Sequence, residues 1–142
     1  MTKRKDTQNM ITEPTSKELA CIIAGTLDDK QGKNIIILNI SNVSSLADYF
    51  VIATGDSTPH VKALTEYTKE RIKTLFSRQT VRTENDSKNR WNLLDYGDVI
   101  VHILHHDERE TYAIEKFWSN AFRISENEWN EISKTYSLYH LS

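Results

Sequence analysis

The stretch from Trp91 to His106, WNLLDYGDVIVHILHH, constrains the fold more than any other part of the chain. Trp91 to Leu94 is a short apolar run. Asp95, Tyr96, Gly97 and Asp98 carry turn chemistry: a glycine free to take positive φ, flanked by carboxylates that accept from nearby backbone N–H groups. From Val99 the side chains alternate. Val99, Val101 and Ile103 fall on one side, and Ile100, His102 and Leu104 on the other. Both sets are largely apolar and rich in β-branched residues, which predicts a strand covered on both faces. The stretch therefore reads as two strands joined by a tight acidic turn. Its polar residues gather at that turn and at the far end, so the turn is either geometry or a site.

The rest of the chain must supply a core for this pair. A length of 142 residues fits one domain with a modest core. The net charge of −2 disfavours a broad surface for polyanions. Cys21 is the single cysteine, which excludes an intramolecular disulfide and a thiolate metal cluster. Its apolar helical context predicts a buried structural thiol. No apolar run is long enough to span a bilayer, and the basic start, MTKRKDTQNM, lacks the apolar segment of a secretory signal. A cytoplasmic protein is the expectation.

Residues 1–13 have no periodicity and read as a disordered leader. Thr15 and Glu18 form a capping-box pair, and Leu19, Ile22, Ile23, Thr26 and Leu27 make one apolar helical stripe. Asn34 to Ile40 and Asp48 to Thr54 read as strands, the second apolar enough to be central. Gly55-Asp56-Ser57-Thr58-Pro59 then opens a helix, with Ser57 or Thr58 as N-cap and Pro59 in the first turn. Val61, Leu64, Thr68, Ile72 and Leu75 form its apolar stripe. A short strand is expected over Gln79 to Thr83 with Val81 at its centre, then a polar loop from Glu84 to Arg90. One helix is expected over Asp107 to Phe117, closed by Trp118. Ser125 and Glu128 cap a terminal helix carrying Trp129 and Ile132, whereas the last residues, TYSLYHLS, show no pattern. The order mixes a βα unit with consecutive strands. This predicts a single α/β (α+β) domain with a mixed sheet flanked by helices.

Four groups invite a chemical reading. The turn from Gly55 to His60 could hold a phosphate at a helix N-terminus, but it has one glycine and no phosphate-binding lysine, so an ordinary capped turn is the better reading. A charged His60 is disfavoured in a first helical turn, which suggests a neutral contact residue. His102, His105 and His106, with Asp107, do not converge on a regular strand, so no metal site is expected. Asp95 and Asp98 could hold a cation for phosphoryl transfer, yet a turn that pairs with a partner's Lys or Arg explains them more simply. Trp91, Tyr96, Trp118 and Trp129 are more aromatics than one small core needs, and aromatics beside acids are common anchors of protein interfaces.

Several of these segments together resemble the ribosome silencing factor family, also called Iojap-like. They are Ala47-Asp48-Tyr49-Phe50-Val51-Ile52-Ala53-Thr54-Gly55, Ser57-Thr58, His60-Val61-Lys62-Ala63-Leu64, Trp91 through His102, and Arg109-Glu110 with Tyr112 and Glu115. The match runs from about Ser16 to Ala121, which suggests a domain over 14–121 and a partly helical C-terminal extension over 122–142. The resemblance implies a nucleotidyltransferase-like fold without the full catalytic carboxylate set, hence no enzyme and no cofactor. It implies a module that binds the large ribosomal subunit through its protein numbered fourteen, blocks joining of the small subunit and damps translation. Relatives can also pair as homodimers. A nucleotide-using enzyme and an RNA-binding adaptor are the alternatives. The missing carboxylate pair opposes the first, and the acidic balance opposes the second. Pro59 stands where many relatives carry a polar residue.

On the binding reading, Trp91, Leu93 and Tyr96 are the expected apolar anchors. Asp95 and Asp98 would meet cationic side chains of a basic ribosomal protein, with His60 at the rim. Alternation places Trp91, Leu93 and Asp95 on one strand face and Leu94 on the other, towards the core. Direct nucleic-acid binding is not required.

Overall fold

The computed structural model describes residues 13–139, and their side chains as far as Tyr136. Residues 1–12 of the expected leader, and the end of the TYSLYHLS segment, lie outside the described residues. Helix α1, Ser16–Asp29, starts as its capping box predicts. The Thr15 hydroxyl accepts the Glu18 N–H at 3.1 Å, and Glu18 Oε1 accepts the Thr15 N–H at 2.9 Å. Two free N–H groups of the first turn are thus satisfied reciprocally. Strands β1, Lys33–Asn39, and β2, Tyr49–Gly55, follow. Helix α2, Thr58–Phe76, is capped by Ser57, whose hydroxyl accepts the His60 N–H at 3.2 Å. Gly55 is required just before it, because a Cβ there would sit 2.8 Å from Val61 Cγ2 and 3.0 Å from the Val61 nitrogen.

Strands β3, Arg82–Asn85, β4, Trp91–Asp95, and β5, Val99–His105, form a meander. Helices α3, His106–Tyr112, and α4, Ile114–Phe117, strand β6, Phe122–Ile124, and helix α5, Glu126–Tyr139, complete the described chain. Among the described residues the sheet has six strands in the order β3-β4-β5-β2-β1-β6. β2 and β5 run parallel at its centre and the other pairs are antiparallel, so the sheet is mixed, as expected. No helix among the described residues is long and apolar enough to cross a membrane.

The alternation of β5 divides two cores. Val99, Val101 and Ile103 join Leu94, Val51 and Ile37 beneath α1, α2 and α5. Ile100 and Leu104 join Phe50, Ile52, Leu38 and Ile114 on the other face. Among the described residues that second face is covered by the short α3–α4 segment, the Trp118–Ala121 turn, and Ile40 and Ala47 of the β1–β2 connection. Cys21 is fully buried under the first face, and burial pushes its thiol up to about 12.

Four local expectations need correction. The strand after α2 begins at Arg82, and Val81 lies 72% exposed. β4 sets that register by placing Thr83 opposite Leu94. The helix expected over Asp107 to Phe117 breaks at Ala113, which takes φ +43. Arg109, donating from Nε to Glu115 at 3.2 Å, ties the two halves together. The segment after Ala121 contributes the edge strand β6. Its final helix runs on through Tyr136, where no pattern was visible. α5 packs on α1: Trp129 is 3% exposed, Lys17 Nζ lies 2.5 Å from Glu128, and the Tyr136 hydroxyl donates to Glu18 at 3.2 Å.

Candidate docking face

The partly covered face of the sheet carries a row of rings. Tyr112 packs 4.9 Å from Trp91, Trp91 6.0 Å from His102, His102 4.8 Å from Phe50, Phe50 5.4 Å from Trp118, and Trp118 5.3 Å from Phe117. The two ends of the row are exposed, Tyr112 by 55% and Phe117 by 80%. Strand register explains the row. Leu93 pairs with His102, Trp91 with Leu104, and Ile52 with His102, so these side chains share one face. Arg109 fixes where α3 lands. Its Nη1 donates to the Thr54 hydroxyl at 2.8 Å at the end of β2, which holds Tyr112 against Trp91. Arg109 is 5% exposed, and burial draws its guanidinium below the ordinary arginine value while Glu115 opposes the shift.

Among the described residues the β3–β4 end of this face is left uncovered. Trp91 and Leu93 are half-buried there and line a shallow groove with Glu84, Asn85 and Asp86. Asp95 lies two residues on, on the same side, and its Oδ1 accepts the Gly97 N–H at 2.7 Å. Arg82, the residue opposite Asp95, is paired with Glu84 at 3.3 Å. Two apolar side chains thus sit inside an acidic border. Trp91 Nε1 donates to His102 Nδ1 at 3.2 Å. Burial lowers His102 to about 4, so its ring is neutral at pH 7.

The sequence reading brought together Trp91, Leu93 and Asp95 correctly as one face, with Leu94 fully buried behind them. Three other candidates have different roles. Tyr96 is no surface anchor: it is 3% exposed, packs in the α1–α2 core, and burial pushes its hydroxyl up to about 12. Neighbouring Asp and Gly suggested a solvent-facing turn residue, but the chain bends so that the ring tucks under α2. Asp98 is engaged inside the domain. Its Oδ1 lies 2.5 Å from Arg78 Nη2 and its Oδ2 accepts from the Ser16 hydroxyl at 2.6 Å. His60 is a clasp between helices. Its Nδ1 accepts the Asp56 N–H at 2.9 Å, so Nε2 carries the proton and donates to the Lys30 carbonyl at 2.9 Å. That use of the Asp56 N–H also removes a donor a phosphate would need.

The histidines need correction too. His105 and His106 do not point apart, because the chain turns from strand to helix between them and their rings lie 4.3 Å from each other. One ligand atom each from His105, His106 and Asp107 fall within 4.8 Å. His105 is occupied in starting α3, and His106 Nδ1 lies 3.0 Å from Asp107 Oδ1. His105 Nδ1 accepts the Asp107 N–H at 3.3 Å, and Arg90 lies 3.7 Å from the Asp107 carboxylate. The residues that sequence reasoning missed are His102 as a partner of Trp91, and Tyr112 and Phe117 as exposed ends of the ring row. The spacing of Leu93 and His102 about the turn could have revealed the first.

The family model described as "Ribosomal silencing factor during starvation" matches residues 13–138. Ribosomal silencing factor RsfS of Bacillus subtilis is 37% identical over 105 residues, covering 74% of this chain and 88% of that protein. Its counterpart in Halalkalibacterium halodurans is 35% identical over 110 residues, covering 75% and 91%. A crystal structure of a Chromobacterium violaceum protein superposes with a TM-score of 0.71 at 34% identity, covering 75% of this chain and 88% of the other.

Proposed function

The chain belongs to the ribosomal silencing factor family, and from that premise we propose that it binds the large ribosomal subunit through the protein numbered fourteen. Bound there, it blocks the small subunit from joining and represses translation. The observation that carries this reading is the open end of the sheet: half-buried Trp91 and Leu93, with Asp95, Glu84 and Asp86 around them. Apolar anchors supply most of the affinity of such an interface, and an acidic border favours encounter with a basic protein. Ribosomal proteins are typically basic, and a chain of net charge −2 is poorly suited to grip RNA phosphates directly.

The protein acts by occupancy on this reading, not by catalysis. The strand-to-helix turn at Gly55 is closed by its own His60, and His105 beside α3 caps the helix start. Tyr112 and Phe117 extend the contact beyond the groove, at the two ends of the ring row. Residues 14–121 supply this face, and the segment from Phe122 onward supports it from the sheet edge and from behind α1. On this reading the protein works in the cytoplasm. The test is to mix purified small and large subunits with and without the protein at joining concentrations of Mg²⁺. Fewer joined ribosomes are expected in a sucrose gradient when the protein is present; unchanged joining refutes the reading.

A further inference from the structure

We infer that His102 is the positioning residue of the docking face, its Nδ1 lone pair fixing the orientation of the Trp91 indole. The inference rests on the proposed role of Trp91 as an anchor. His102 is 8% exposed and wedged on the sheet between the cross-strand neighbours Leu93 and Ile52, with the Phe50 ring edge-on at 4.8 Å. An apolar residue would fill that position without difficulty. Histidine instead leaves a buried polar atom without a partner among the described residues, because Nδ1 accepts from the indole and the proton therefore sits on Nε2, which finds no acceptor there. Burying an orphan donor is unfavourable. The one hydrogen bond the imidazole makes among the described residues is the 3.2 Å contact from Trp91 Nε1, so that contact is what the histidine contributes.

An indole has a single donor. Tying it to the sheet decides which ring edge is inward and which is presented in the groove beside Leu93. Tyr112, 4.9 Å away on the other side, restricts the ring by contact but accepts nothing from the indole N–H. Pre-orientation of an aromatic anchor raises affinity by removing an ordering cost at docking.

The test compares His102→Gln, whose carbonyl can accept from the indole, with His102→Phe, which fills the space and cannot. Both are assayed by co-sedimentation with purified large subunits, and the indole N–H is followed by ¹⁵N–¹H correlation spectra. His102→Phe should shift the Trp91 indole resonance and weaken binding about fivefold, the worth of one net hydrogen bond, with thermal stability kept. His102→Gln should bind within about twofold of wild type, and on a Trp91→Phe background the two variants should no longer differ. His102→Phe binding as wild type while Trp91→Ala binds weakly overturns the inference alone. So do equal losses in both His102 variants. Full binding by Trp91→Ala overturns the docking reading itself, and the positioning role with it.

Discussion

The Arg78 guanidinium and the Asp98 carboxylate meet at 2.5 Å, and through that pair the β4–β5 turn is bolted to the end of α2. Arg78 also donates to the Tyr96 carbonyl at 2.8 Å, while Ser16 at the start of α1 donates to the other Asp98 oxygen. The two carboxylates of the acidic turn therefore divide their labour. Asp98 holds three elements together, and Asp95 stays at the open face. Asp98→Ala should cost about 2 kcal/mol, the loss of charge-assisted bonds at a partly buried site. Asp95→Lys should change stability by less than about 1 kcal/mol and weaken large-subunit binding most at low salt. Thermal denaturation and salt-dependent sedimentation distinguish the two.

Acid should weaken the fold through His102. Its imidazole ionises near 4 when folded, against an ordinary value of 6.5, because burial disfavours the charged ring. The unfolded chain thus takes up a proton first. Stability from this group is complete above about pH 6.5 and falls as pH drops towards 4, by up to roughly 3 kcal/mol. Urea denaturation at pH 7.5, 6 and 5 measures the slope. His102→Gln should make that slope shallower.

Gly25 should tolerate no side chain. A Cβ there would lie 1.7 Å from the Ser133 hydroxyl oxygen and 2.5 Å from Ser133 Cβ. Alanine favours a helix by about 1 kcal/mol over glycine, but forcing α1 and α5 apart costs about 1–3 kcal/mol. Gly25→Ala should lower the melting temperature, and adding Ser133→Gly should restore most of it.

Cys21 should be inert in the native state. It is fully buried and burial pushes its thiol up to about 12, so it exposes no thiolate to alkylating reagents at neutral pH. Modification by iodoacetamide should track unfolding in denaturant.

The sheet was legible because its central strands are strongly patterned. β5 alternates so regularly that both its faces could be assigned, and with them the shared face of Trp91, Leu93 and Asp95. The missed elements have physical causes. β6 has three residues, Phe122–Ile124, and exists through its pairing with β1, a long-range contact no local pattern carries. Ala113 is the best of helix formers, yet tertiary contacts of Arg109 and Ile114 hold it at positive φ. Tyr96 looked exposed because turn residues usually are, and its burial depends on where α2 lies. The strand pattern runs on through His105 and His106, whereas the helix begins between them.

Co-sedimentation of Trp91→Ala with purified large ribosomal subunits tests the central claim most directly. Lys69→Ala on α2 serves as the control. The groove centred on Trp91 and Leu93 requires Trp91→Ala to bind at least about tenfold more weakly than wild type, as expected for a central aromatic anchor, with Lys69→Ala unchanged. Trp91→Ala that folds normally and sediments with the subunit as wild type does would contradict it.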